Sequence, residues 1–534
     1  MQRLVWLFVV IGMFFLFKPL WVKHYSGHAD LLILSGSENK DLEFIIQEWA
    51  NEHNKRIDFV YKGSVDIYRT LQQGQTIPYD AVWAANHLWI ELGDTQKMVR
   101  HEQSIYRSPV VLGVRQSLAQ QLGWDKQSVK IKDILAATDT QKLHLAMTSA
   151  TQSNSGASAY LGFLYAMSGY PATLTAQDLN NPTVQEKLKR LFAATDRSSG
   201  SSGWLRDLAV QHAERFDAMF NYESLLMDAN RQLTQQGKEP FYVVYPEDGL
   251  SVADSPLGLI NKGDQEKETL FIELQQYLLS SSVQQRIADT GRRTGLLGLT
   301  VDNPDSHIWN PAWGVKANIN IASIPMPKPA VLQEALHLYQ DKLHKPSLTI
   351  WVLDTSGSMS GDGIYQLKQA MTTLLDPEQA SQYLLQAGDD DITIVIPFND
   401  KVNNVWTVKG KNPNESATIL QNVQALEAAG GTDMYLGLIR ALEQLQPYVA
   451  QHTLENYLPA VVVMTDGRSS EFNHYAFQQY AQSLGLMGNV PIHAIAFGDA
   501  DPEPLKILTN ESLGKFFDAN GDLPSVLREV KGYN

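Results

Sequence analysis

Between residues 353 and 467 of this 534-residue sequence, three short turns hold a set of oxygen-bearing side chains. LDTSGSMSG (353–361) offers Asp354, Ser356 and Ser358, AGGTDMYLGL (429–438) offers Thr432, and MTDG (464–467) offers Asp466. Two carboxylates and three hydroxyls are all oxygen donors. Oxygen-only ligation selects hard divalent cations over zinc or copper. Mg²⁺ is the expected ion, with Mn²⁺ or Ca²⁺ as alternatives. Neutral hydroxyl ligands leave such an ion electron-poor, so it still attracts a carboxylate from outside. The same residue types also cap helices and stabilise turns, and a lone D-x-S-x-S would be read that way. Three matched loops argue for a metal instead. Asp433 reads as a helix-start residue rather than a sixth ligand.

The elements that must position these residues are legible from Ser347 onward. TIWVL (349–353), ITIVI (392–396), AVVVM (460–464) and IHAIAF (492–497) are apolar runs without strict alternation, bounded by polar or turn residues. Strands buried on both faces read this way, because helices cover both sides of a parallel sheet. Helical patterns at 364–375 and 435–445 fit between them. In such a doubly wound sheet, ligands sit at the carboxyl ends of the strands, where Asp354 and Asp466 fall. The D-x-S-x-S, G-G-T-D and T-D-G turns in this order, continuing through HAIAFGDADPEPLKIL (493–508), make residues 347–534 resemble the von Willebrand factor A family. The resemblance implies a Rossmann-like fold with a metal-ion-dependent adhesion site. In it Ser356, Ser358 and Thr432 ligate the metal, and Asp354 and Asp466 act directly or through water. It also implies that a partner protein donates an acidic side chain as the last ligand.

From Asp30 to about Ala322, strand-like runs (31–34, 57–61, 79–84, 110–114, 143–147, 241–245) alternate with helical patterns such as 41–53 and 156–167. Alternation of this kind predicts a parallel-sheet α/β architecture, and its length predicts two lobes. Hydroxyl-bearing turns precede several helices, and free N–H groups at helix starts bind anions. The arrangement resembles bacterial extracellular solute-binding proteins of the oxyanion or iron-binding type, which hold a ligand between two α/β lobes. Position by position, the resemblance points to Ser35 or Ser37, to Ser64, to the Trp83–Asn86 loop, and to Ser153 and Ser155, with Tyr222 and Tyr245 as later contacts. A small anionic solute is the ligand it implies. Ordinary helix capping is the competing account of the serines, and core or rim packing that of the tyrosines. SSGSSG (198–203) reads as a surface loop. IPMPKPAV (324–331) and the amphipathic run after it read as a linker with a short connecting helix.

Leu4 to Val22 is an apolar run broken by Lys18 and Pro19, long enough to approach a bilayer span at about 1.5 Å per residue. No small-residue cleavage site follows neatly, so an uncleaved anchor is expected. The fold class expected is therefore α/β: a transmembrane signal-anchor (1–24), a two-lobed periplasmic-binding-protein-like domain (29–322), a linker (323–346) and a doubly wound parallel-sheet domain (347–534). The bulk would be exported into the bacterial cell envelope, anchored to the inner membrane. A formal charge of −15 argues against a nucleic-acid surface, which needs a basic footprint. With no cysteine, disulfides, thiolate zinc sites and cysteine nucleophiles are excluded. No nucleotide-binding loop, zinc-protease helix or nucleophile elbow occurs. His24 and His28, spaced i,i+4 beside the apolar run, read as solvated. The sequence thus predicts a binding protein rather than an enzyme. Its alternatives are metal-dependent protein interaction with a solute-sensing first domain, or a transporter receptor with an accessory second domain.

Overall fold

The computed structural model describes residues 29–533 except 296–299, 302–303, 320–321, 468, 471, 499 and 520–522. The Leu4–Val22 run, and with it the expected anchor, lies outside the described residues. Among the described residues, no helix is long and apolar enough to cross a membrane.

Three sheets organise the chain. The first contains β1 (Leu31–Gly36), β2 (Ile57–Lys62), β3 (Ala81–Trp83), β4 (Val99–Ser104) and a returning strand, β11 (Pro256–Ile260). Its order is β2-β1-β3-β11-β4. The second contains β5 (Ser108–Arg115), β6 (Leu145–Thr148), β7 (Thr195–Ser199), β8 (Ala218–Tyr222), β9 (Phe241–Val244) and β10 (Ser251–Ala253). Its order is β10-β5-β8-β6-β7, with β9 beside β5. The chain passes between these sheets after β4 and again after β10, so two lobes share a double crossing. At the second crossing Ser255 takes a left-handed φ of 44°, and its Oγ accepts from Trp83 Nε1 at 3.0 Å. That bond offsets part of the backbone strain expected of a non-glycine residue there.

Both lobes are mixed rather than parallel. VVLGV lies in β5, which runs antiparallel to β8, β9 and β10, and β11 runs antiparallel to β3 and β4. All eight residues of β5 are buried. A strand covered on both faces reads as a continuous apolar run whichever way its neighbours point. Apolar patterning reports burial and is silent about direction.

The third sheet contains β12 (Ser347–Asp354), β13 (Ile392–Phe398), β14 (Trp406–Lys409), β15 (Leu458–Thr465), β16 (Ile492–Ala496) and β17 (Phe516–Asp518), ordered β14-β13-β12-β15-β16-β17. All its pairings are parallel except that of the edge strand β14. Successive β12 side chains point to opposite faces, and both faces are covered. Leu348, Ile350 and Val352 pack with Leu438 and Leu442 of the helix Met434–Ala450. Trp351 and Leu353 pack with Leu367 and Met371 of the helix Asp362–Leu375. Each buried leucine contributes about 1.5–3 kcal/mol, which fixes the sheet from which the loops of the candidate site emerge.

Two connecting segments are packed into the structure. A short helix begins within IPMPKPAV and continues beyond it, and it is no loose surface element. The helix Pro329–Leu338 buries Leu332, Ala335 and Leu336, and Tyr339 and Leu343 follow them into the core of the second lobe. SSGSSG is no surface loop either, because Ser199 and Ser202 are buried. There β7 ends and the helix Ser202–Gln211 begins, and a side chain on Gly200 would meet the Tyr533 ring at 2.7 Å. Small residues stand at this point because two parts of the chain approach closely, which composition does not distinguish from looseness.

Candidate functional site

At the carboxyl edge of the third sheet, Asp354 is the last residue of β12 and is fully buried. Its Oδ1 accepts from the Ser356 N–H at 2.8 Å, and its Oδ2 accepts from Thr465 Oγ1 at 2.6 Å. Thr465 is the last residue of β15, the strand beside β12. Parallel pairing therefore brings the D-x-S-x-S and T-D-G turns together. Gly467 N–H donates back to Thr465 Oγ1 at 3.1 Å, with Gly467 at a φ of 82° that suits glycine. Ser356 Oγ lies 3.0 Å from Ser358 Oγ, and Ser358 is exposed. Thr432 and Asp466 are half-buried. Burial pushes the Asp354 carboxyl above the usual carboxylate range, hydrogen bonds from Ser356 and Thr465 oppose this, and the Asp466 charge adds to the rise.

The third loop is clipped to the other two through its backbone. Gly357 N–H donates to Gly430 O at 3.1 Å, and Ala429 N–H donates to Thr355 O at 2.9 Å. Ser470 N–H donates to Thr432 O at 2.9 Å. The five oxygen-bearing residues expected from the sequence thus lie on three loops bonded to one another at one sheet edge. Asp433 caps the helix Met434–Ala450: its Oδ1 accepts from Leu436 N–H at 3.1 Å and its Oδ2 from Asn473 Nδ2 at 2.6 Å. Sequence reasoning missed Thr465, which fixes Asp354, and Asn399, whose Nδ2 holds Ala429 O at 2.9 Å. The threonine of the T-D-G turn was visible as a signal. Asn399 was not, since only the folded loop brings it there. All donors being oxygen, the set fits a hard divalent cation. Among the described residues, no cluster of three or more His, Cys, Asp or Glu side chains could hold a metal.

The residues expected to line the solute cleft are mostly bonded to the protein itself. Ser35 is fully buried, its Oγ donating to Gly36 O and accepting from Asn39 Nδ2. Ser37 is half-buried at the start of a 3₁₀ turn, Ser37–Leu42. Ser64 starts the helix Ser64–Gln72. Asn86 caps the next helix through Leu88 N–H and donates to Val252 O at 3.2 Å. Ser153 and Ser155 form a hydroxyl cluster with Ser202, at 2.9 and 2.7 Å. Tyr222 OH accepts from Asn154 Nδ2 at 3.0 Å. Tyr245 OH donates to Glu223, which pairs with Arg293 at 2.7 Å, both fully buried. Two groups were not foreseen. Asn154 Oδ1 accepts from Trp89 Nε1 at 2.8 Å, tying the lobes together. Glu38 Oε1 is buried without a partner among the described residues, and burial pushes its carboxyl up to about 7.

Residues 31–293 match the family of bacterial extracellular solute-binding proteins, and residues 350–529 match the von Willebrand factor type A domain. The chain thus carries a region matching the solute-binding family followed by a region matching the von Willebrand factor type A domain. Curated relatives include mouse inter-alpha-trypsin inhibitor heavy chain H3, 25% identical over 161 residues that cover 29% of this chain and 17% of the relative. Bovine heavy chain H1 is 27% identical over 179 residues, covering 31% of this chain and 18% of the relative. The chain thus spans less than a fifth of the length of these relatives. Among solved structures, a ferric binding protein from Campylobacter jejuni is 12% identical, with a TM-score of 0.42 over 58% of this chain and 98% of that one. A von Willebrand factor type A protein from Catenulispora acidiphila is 18% identical, with a TM-score of 0.30 over 35% of this chain and 42% of that one.

Proposed function

We propose that this chain is a membrane-tethered envelope protein that binds a protein partner through a metal site in its C-terminal domain (347–534). Residues 29–322 form the solute-sensing domain, and 323–346 connect the two. Asp354, Ser356, Ser358, Thr432 and Asp466 would hold the ion, Mg²⁺ before Mn²⁺ or Ca²⁺. When bound, the cation supplies a Lewis-acidic position open to an acidic side chain of the partner. The protein's part is orientation: Thr465 and the Ser356 N–H keep both Asp354 oxygens aimed, and the Gly357–Gly430 bond keeps the Thr432 loop alongside. The observation that carries this reading is the convergence of three oxygen-bearing loops on one another at the edge where parallel strands β12 and β15 end. The test is co-precipitation of membrane partners with the full chain. Capture should require Mg²⁺ and fail in the Asp354→Ala variant, whereas undiminished capture in excess chelator would sink the reading.

A second reading has its own support in the solute-binding family match over 31–293. Here the chain is a transporter receptor that delivers a small anion or metal, and the C-terminal domain is accessory. A stoichiometric small ligand released from the purified protein by denaturation, and identified by mass spectrometry, would favour it. Protein repeatedly purified free of any such ligand would count against it.

A further inference from the structure

The first domain meets the C-terminal domain unequally through its two lobes. The second lobe is held at several points: Arg197 donates to Leu513 O at 2.7 Å, Ser198 Oγ donates to Gly532 O at 3.1 Å, and the Trp204 ring meets Tyr533 edge-on at 4.8 Å. On the first lobe, the helix Ser64–Gln72 reaches the C-terminal domain through two side chains. Asp66 pairs with Arg528, and the Arg69 guanidinium lies 4.9 Å from the centre of the Tyr383 ring. Asp66 and Arg528 are 4% and 2% exposed, so both charges have left water. Arg528 Nε and Nη1 have no hydrogen-bond partner among the described residues, so Asp66 is its ion-pair partner, with the Glu529 carboxylate also favouring the guanidinium charge. The last helix, Leu523–Lys531, therefore lies across both lobes, with Arg528 on the first and the Gly532–Tyr533 end on the second.

We propose that this helix is a latch. The second lobe and the C-terminal domain form one body, and the first lobe swings against it on the crossings after β4, after β10 and after the helix Ser281–Ala288. The cleft opens only when Arg528 releases Asp66. The lobes are closed here by the protein's own groups, Trp89 on Asn154 and Arg206 on Asp41 at 3.6 Å. A buried ion pair offsets its desolvation only while it is paired. Separating the lobes by a small angle would leave Asp66 buried without its partner and Arg528 with only Glu529 nearby, so the latch resists partial opening and favours two states. Coupling of this kind is reciprocal. Whatever opens the cleft frees the face of the last helix, and whatever draws that helix away eases the cleft open. The solute domain and the interaction domain thereby sense each other.

The chain has no cysteine, so spin labels can be placed at will. Labels on Glu52→Cys and Lys189→Cys, exposed positions of the first and second lobes, report lobe separation by pulsed electron resonance in the full chain. Asp66→Asn and Arg528→Met should each shift the distance distribution longer and broaden it, and the exchanged pair Asp66→Arg with Arg528→Asp should restore the parent distribution. Hydrogen exchange along 523–531 should speed up in Asp66→Asn. Parent-like distances in both folded single variants would overturn the latch. Should Arg528→Met fail to fold, Asp66→Asn with parent-like distances and parent-like exchange would overturn it equally.

Discussion

The candidate metal edge of the third sheet and the cleft between the first two are built from the same materials. Both use serines, threonines and asparagines in turns at strand ends, followed by helices. They differ in what those groups have left to give. In the cleft, Ser153, Ser155 and Ser202 bond to one another, Asn86 straps a helix to β10, and Tyr222 is spent on Asn154. At the candidate metal edge, Ser358 is exposed and Thr432 and Asp466 are half-buried, while beneath them Thr465 holds the buried Asp354 carboxylate. A hydroxyl at a strand end is therefore a candidate ligand only where the fold leaves it a free direction. Substitutions in the cleft should then cost stability, and those at the edge should cost binding.

The largest expected effect lies on the cleft side. Arg293→Met strands the buried Glu223 carboxylate and should destabilise the protein by about 3–5 kcal/mol, read as a lower urea midpoint. A loss under about 1 kcal/mol would mean that the pair is dispensable and the contrast overdrawn. On the edge side, Thr465→Val removes the hydroxyl that orients Asp354. Mg²⁺ affinity should fall about 10–100-fold by calorimetry, with a folded far-ultraviolet spectrum retained. Unchanged affinity would break the aiming role assigned to Thr465.

Acid should act through a third place. His493 is fully buried, accepts from the Lys515 N–H at Nδ1 and donates from Nε2 to Tyr533 O, and burial lowers its pKa to about 3. The unfolded chain, with histidine near 6.5, binds the proton more readily, so stability is full above that value and falls as pH drops toward 3. Between pH 7.5 and 5 the loss from this group should be about 2 kcal/mol, and it should vanish in His493→Gln. A pH slope equal in the two proteins would refute this assignment. The smallest effect separates a cap from a ligand. Asp433→Ala should cost about 1 kcal/mol of stability while leaving Mg²⁺ affinity as it was. A loss of affinity would instead place Asp433 among the ligands.

Much of the fold was legible. The runs 349–353, 392–396, 460–464 and 492–497 became β12, β13, β15 and β16, because continuous apolar runs between turns leave few other solutions. The loops of the candidate metal edge were legible because D-x-S-x-S and T-D-G are local and both follow directly on strands. Direction in the first two sheets was not, since β5 looks alike antiparallel or parallel. Nor was the burial of SSGSSG, whose small residues admit Tyr533 from the far end of the chain.

By itself, the sequence determined the elements, their order and the oxygen chemistry at two strand ends, because propensity, burial pattern and short-range spacing are properties of neighbouring residues. The tertiary structure alone decided which hydroxyls are spent and which stay open. It also decided that Arg528 reaches Asp66 across the lobes. Those outcomes depend on close packing between segments remote in the chain, where a difference of one side chain's width settles whether a polar group meets a partner or water.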